Sequence, residues 1–161
     1  MATSTVDRPL FVISDLHIGS GGPRDMLNHL EKRRLLESFL NYIQKENGEL
    51  MILGDMIDLW RFGLMAVIRT HRELFDRLSE MNVTYIPGNH DQALGALENP
   101  GGVIHPFFDK LTLPGMRQIG SKLFHFNHGH ELDPITGRIG PSIGRALGMS
   151  ASLIEWIKGA Q

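Results

Sequence analysis

The chain has 161 residues, 42% of them hydrophobic and 21% charged, a formal net charge of −2 and no cysteine. Those values fit one globular domain that buries roughly 70% of its unfolded surface, and they exclude a disordered chain, a collagen-like rod or a coiled coil. With no cysteine there is no disulfide, thiolate metal site or cysteine nucleophile, so a reducing compartment is expected and any metal must be held by His, Asp, Glu or Asn.

Residues 1–9 are short and polar, with no apolar stretch of signal-peptide length, and no window approaches the ~18 apolar residues of a membrane span. A cytoplasmic location is the expectation. Residues 10–14 read as a buried strand, followed by a glycine-rich turn at 19–22 and Pro23. A helix follows, with Leu35, Leu36, Phe39, Leu40 and Ile43 on one stripe, ending near Asn47-Gly48. Its basic run Lys32-Arg33-Arg34 reads as a solvated face and is the only compact one, so dedicated nucleic-acid binding is not expected. A strand at 50–53, a helix over about 67–81 and a strand at 83–86 come next. The order β, α, β, α, β predicts parallel pairing with helical crossovers. From Gly101 the texture shifts to shorter β-like pieces, at 102–107 and as a pair at 116–119 and 122–126 around Gly120-Ser121, so a mixed sheet or second layer is expected. Residues 142–158 read as one or two helices, with Ile143, Leu147, Leu153, Ile154, Trp156 and Ile157 apolar. Core packing or a lid over the site is the expected use of this tail; a partner face or peripheral membrane contact is the alternative.

Four segments each place metal-type ligands just after a β-forming apolar run: Asp15-Leu16-His17, Gly54-Asp55-Met56-Ile57-Asp58, Gly88-Asn89-His90-Asp91 and His128-Gly129-His130. Ligands in open α/β sheets bind beyond the carboxyl ends of the strands, so the four sets can converge. Strand alternation would point Asp15 and His17 to one side, where both could grip one ion. Asp55, ending an apolar strand, is costly unless paired, hydrogen-bonded or metal-bound, and reads as a bridge between two cations. Asn89 offers a neutral carbonyl oxygen. His90 could protonate a leaving alkoxide while Asp91, in reach of its other nitrogen, fixes the tautomer. His128 reads as a ligand, and His130 as a contact to metal, substrate phosphate or neither. Each motif also has a plain reading: Asp15, Asp55 or Asp58 as a cap, and Pro87-Gly88-Asn89 as an ordinary turn. His125 reads as a buried strand residue, and His29, His71 and His105 as surface or packing histidines.

In this order the four motifs resemble those of the calcineurin-like metallophosphoesterases, from about Leu10 to Asp133. The stretches 14–19 and 55–60 most resemble the bacterial branch related to UDP-2,3-diacylglucosamine hydrolase, although its best-known members carry Arg where His90 stands. The resemblance implies a single metallophosphoesterase domain over residues 1–161, an α/β fold built as a four-layer α/β/β/α sandwich. It further implies a dinuclear centre of two divalent ions, manganese first with iron or zinc as alternatives. Such a centre hydrolyses a phosphate ester or pyrophosphate bond through a hydroxide generated at neutral pH. By position, Asp15, His17 and Asp55 would hold one ion and Asp55, Asn89 and His128 the other, with His90 as general acid oriented by Asp91. A phosphorylated small molecule or nucleotide-linked compound is the expected substrate. The family's downstream Gly-His-x-His is absent, since no histidine follows His130, so the domain reads as incomplete at its C-terminal strands.

Two other functions compete. Gly140-Pro141-Ser142-Ile143-Gly144 matches the G-x-S-x-G pattern of serine hydrolases, but the turn-rich residues 134–139 do not supply the strand that such an elbow needs. A non-catalytic module that binds metal or a partner on the same fold is the alternative suggested by the missing histidines.

Overall fold

The computed structural model describes residues 8–132. Strands β1 (Leu10–Ile13), β2 (Glu49–Leu53) and β3 (Val83–Ile86) form a parallel sheet in the order β1-β2-β3. They pair in register from Leu10 against Glu49 and from Leu50 against Val83. Because the strand order never reverses, right-handed crossovers leave both connecting helical segments on one side of the sheet. The core follows from this: Phe11, Ile13, Leu50, Ile52, Val83 and Tyr85, which alternate onto one sheet face, share a cluster with Leu36, Leu40, Ile43, Val67, Phe75 and Leu78 of the helices. The predicted α/β order is therefore present.

Helix α1 (Leu30–Lys45) buries Leu36, Leu40 and Ile43, while Leu35 at the margin of the predicted stripe is 64% exposed. It ends in a Schellman turn. Asn47 takes a left-handed φ of 49°, its N–H bonds Gln44 O and the N–H of Gly48 bonds Ile43 O at 2.9 Å. A Cβ at Gly48 would lie 2.5 Å from the Phe11 ring and 3.2 Å from Pro9 O, so glycine lets the chain turn directly into β2.

The helix predicted over 67–81 is two helices, α2 (Leu64–Thr70) and α3 (Arg72–Glu80). The break falls at His71, whose φ/ψ of −117°/32° leaves the helical region and lets its ring reach buried Asp25 at 2.7 Å. Long-range pairing overrides helix periodicity there. The β-like reading of 102–107 is also corrected: this stretch holds the short helix α4 (Pro100–Val103) and a 3-10 turn at Pro106–Lys110. Each begins with proline in its first turn, where a missing N–H costs nothing.

Strands β4 (Gly115–Ile119) and β5 (Lys122–Phe126) form the predicted hairpin, with Gly120 at φ 57° in its two-residue turn. Arg117 on β4 makes a bidentate ion pair with Glu49, on the sheet face opposite the helices. The hairpin thus adds a second β layer to the helix and sheet layers. His125, expected to be buried, is exposed on β5 and accepts or donates at Nδ1 only to Asn127, because the outer hairpin face carries nothing over it among the described residues. The apolar tail at 142–158 and the Gly140 to Gly144 pattern lie outside the described residues. Among the described residues no helix is long and apolar enough to cross a membrane.

Candidate metal centre

Beyond their ends, β1 and β2 stay side by side. Asp15 N bonds Gly54 O, His17 N bonds Asp55 O, Ile18 N bonds Met56 O and Asp58 N bonds Ile18 O, at 2.8–3.1 Å. This ladder fixes the Asp15-x-His17 loop against the Asp55 to Asp58 loop. The backbone within it is not extended: Asp15, His17 and Asp55 have φ of 57°, 43° and 53°. Left-handed backbone at three non-glycine residues is strain of the kind held at functional sites. Asp15 and His17 do meet, at 3.7 Å between Oδ1 and Nε2. It is this kinked backbone, and not strand alternation, that brings them together.

Asp55 is the hub. Its carboxylate is 3% exposed, and its Oδ2 lies 3.9 Å from His17 Nε2, 3.9 Å from His90 Nε2 and 3.4 Å from His128 Nε2. Its Oδ1 accepts the N–H of His90 at 2.8 Å, tying the loop after β3 to the loop after β2. Two ligand groups share this residue: His17, Asp55 and His90, and Asp15, Asp55 and His128, each with one donor atom per residue within 4.8 Å of the others. The expected partition differs in detail, since Asp15 groups with His128 and His90 falls among the candidate ligands. Asn89 sits in the same loop, with its backbone carbonyl taken by Trp60 Nε1 at 3.1 Å.

The surroundings suit a cation. His128 Nδ1 donates to Leu53 O at 2.9 Å, which leaves Nε2 unprotonated in the neutral ring and aimed at Asp55. Both glycines before the ligands are needed for close approach. A Cβ at Gly54, where φ is 86°, would overlap the His128 ring and lie 2.7 Å from its Cβ; a Cβ at Gly88 would lie 2.6 Å from Asp55 N and overlap its carboxylate. We expect Gly88→Ala to displace Asp55 and lower metal affinity by about 10- to 100-fold, the loss typical of disturbed ligand support, measurable by competition with a chelating indicator. Unchanged affinity would mean that the two loops can part without consequence.

The role given to Asp91 is corrected. Fully buried, Asp91 spends both oxygens elsewhere: Oδ1 accepts Gly88 N at 2.6 Å, and Oδ2 accepts Ile57 N at 3.1 Å and the Tyr85 hydroxyl. Burial raises its pKa, the Tyr85, Ile57 and Gly88 hydrogen bonds oppose this, and the nearby Asp55 charge adds to the rise. It clamps the two ligand loops together. The partner of the His90 ring is Asp58, at 2.9 Å from Nδ1 to Oδ1. Asp58 is 2% exposed; burial works to raise its pKa, but the hydrogen bond and charge of His90, with Arg61 and His17, outweigh it and hold the group below its ordinary value. An ionised Asp58 can only accept, so His90 Nδ1 carries the hydrogen and Nε2 faces the site.

Sequence reading did not single out Asp25, and took His71 as a surface or packing residue. Asp25 is fully buried and accepts Gly19 N, Gly21 N and Leu27 N at 2.8–3.1 Å besides the His71 ring, fixing the glycine-rich turn that follows His17. Its signal was available, because an Asp ahead of a helical turn is a strong N-cap candidate. His130 lies beside His128, ring centroids 5.6 Å apart, and belongs to neither ligand group.

Neither the curated proteins nor the solved structures contain a match to the chain. The family model described as calcineurin-like phosphoesterase matches residues 8–143, a span that takes in all four ligand loops. With that match and the ligand groups gathered at the strand ends of an α/β fold, the chain belongs to the calcineurin-like phosphoesterases, a family of metal-dependent phosphoester hydrolases.

Proposed function

We propose that the chain hydrolyses a phosphate ester or pyrophosphate bond at a centre of two divalent ions bridged by Asp55. The observation that carries this reading is the sharing of Asp55 Oδ2 among three histidine Nε2 atoms, with Asp15 on the open side of the group. Buried carboxylates gathered with imidazoles are costly without a cation between them. The donors are oxygen and imidazole nitrogen, a set suited to manganese, iron or zinc, and manganese is the ion we assign first. Asp15, His17 and His128 would hold the two ions with Asp55 shared between them, and the Asn89 side-chain oxygen would complete the set. When bound, such ions acidify water and neutralise charge on the phosphoryl oxygens.

The chain's own residues supply the rest. In its imidazolium form His90 gives the Nε2 proton to the departing oxygen and is left as the neutral Nδ1–H ring, Asp58 holds Nδ1, and Asp91 keeps the two loops in register. The substrate is a phosphorylated small molecule or a nucleotide-linked compound. Resemblance to the UDP-2,3-diacylglucosamine hydrolase branch supports the nucleotide-linked choice, whereas histidine at position 90 weighs against carrying over that branch's reaction. The test is hydrolysis of an aryl phosphate and a bis-aryl phosphodiester with and without Mn²⁺. Turnover that disappears on chelation, and that falls about 10²–10⁴-fold in His90→Ala on an ester with a poor leaving group, is the expected result. Metal uptake with no turnover of any ester would instead support a binding module, and turnover indifferent to chelators would rule the reading out.

A further inference from the structure

We propose that Trp60 is a positioning residue for His90, holding its ring in the one orientation that aims Nε2 into the metal centre. This rests on the reading of His90 as the proton donor. The indole lies flat on the imidazole, with centroids 3.8 Å apart and planes 18° from parallel. His17 meets the same imidazole edge-on at 4.6 Å and 77°. Asp58 holds Nδ1 at 2.9 Å, and Arg61 Nε lies 3.6 Å from the other Asp58 oxygen.

The imidazole is therefore held at one nitrogen, one face and one edge. A hydrogen bond at Nδ1 alone would leave the ring free to swing about that bond, because the outer torsion of histidine has broad wells. Trp60 removes that freedom. The indole is itself fixed, since Nε1 donates to Asn89 O at 3.1 Å. Trp60 thus starts in the loop after β2 and closes on the loop after β3, joining the segment that carries Asp55 and Asp58 to the segment that carries Asn89 and His90. Misplacement of a reacting group by about 1 Å can cost on the order of 10²-fold in rate, so a half-buried tryptophan that touches no reacting atom can still matter.

The experiment measures kcat for the Mn²⁺-loaded full chain on phosphate monoesters whose leaving groups run from nitrophenols to simple alcohols. Proton donation matters most for the alcohols. Trp60→Leu is expected to lose about 10- to 100-fold on the alkyl esters and far less on the nitrophenyl ester, following the trend of His90→Ala. The double variant is expected to be no slower than His90→Ala alone, because a missing ring cannot be misplaced. Trp60→Phe, which keeps an aromatic face, is expected to recover most of the alkyl-ester rate. An even loss across the series, or effects that multiply in the double variant, would overturn the role of Trp60 while leaving His90 as the acid. A His90→Ala profile without leaving-group dependence would overturn both. A readout independent of turnover accompanies it: NMR of the metal-free chain should show one orientation of the His90 ring, with fixed contacts to Asp58 and His17, in the parent and averaged orientations in Trp60→Leu, and an unchanged ring orientation would also overturn the proposal.

Discussion

Asp55→Ala is expected to abolish phosphoester hydrolysis, with a loss of about 10³-fold or more, while leaving the chain folded. Removing a single preorganised charge partner from a transition state costs about 10²–10³-fold, and Asp55 serves two ligand groups at once. The same carboxylate accepts the N–H of His90, so the loop after β3 also loses an anchor. Folding should survive because Asp91 still joins the two loops through Ile57 N, Gly88 N and Tyr85. The histidines that face Asp55 would then have no anion to share, and removing Asp55 should relieve the charge that helps to raise the Asp91 pKa. Steady-state hydrolysis with circular dichroism as a folding control is the check. Retention of more than a tenth of the activity would mean that Asp55 is not the bridge.

The largest effect on stability is expected at Asp25, outside the metal centre. Asp25→Ala leaves the buried His71 without its partner and orphans the N–H groups of Gly19, Gly21 and Leu27, and breaking such a buried pair costs about 3–5 kcal/mol. The pH dependence has a definite sign. Burial alone would raise the Asp25 pKa, but the His71 hydrogen bond and the three N–H groups outweigh it and hold the folded-state value below 3.8. The folded state thus binds this proton less readily than the unfolded chain does. The stabilisation is fully present above the unfolded value of about 3.9 and is lost as pH falls through the lower folded value. Urea unfolding followed from pH 6 down to pH 3 should show a steeper loss in the parent than in Asp25→Ala. Parallel curves would show that Asp25 gives no net electrostatic stabilisation.

The parts of the fold that were legible in the sequence are those set by local pattern. Apolar runs ending in Asp15, Gly54-Asp55 and Gly88-Asn89 marked both the strands and the crevice at their carboxyl ends, and Gly120-Ser121 marked the hairpin. Misreadings arose where a distant residue decides the local structure. His71 breaks a periodic helix because Asp25, 46 residues away, binds its ring. Asp91 follows His90 in sequence and was the natural partner for it, yet the chain turns so that Asp91 meets backbone N–H groups and the ring meets Asp58, 32 residues earlier. Adjacency is a poor guide inside a tight turn. Residues 102–107 were misread because apolar content outweighed Pro100 and Pro106, both of which start helical turns. The left-handed φ of Asp15, His17 and Asp55 was not read from the sequence, although Asp and His enter that region more readily than most residues; the ladder that joins the loops after β1 and β2 accompanies it.

The bridging role of Asp55 is tested most directly by counting and pairing the ions. Manganese titrated into the full chain should saturate at two per chain, and its electron paramagnetic resonance spectrum should show exchange coupling between them, as a shared carboxylate requires. Asp55→Ala should bind manganese more weakly and show only uncoupled ions. A parent that binds one ion, or two that remain magnetically independent, would contradict the account.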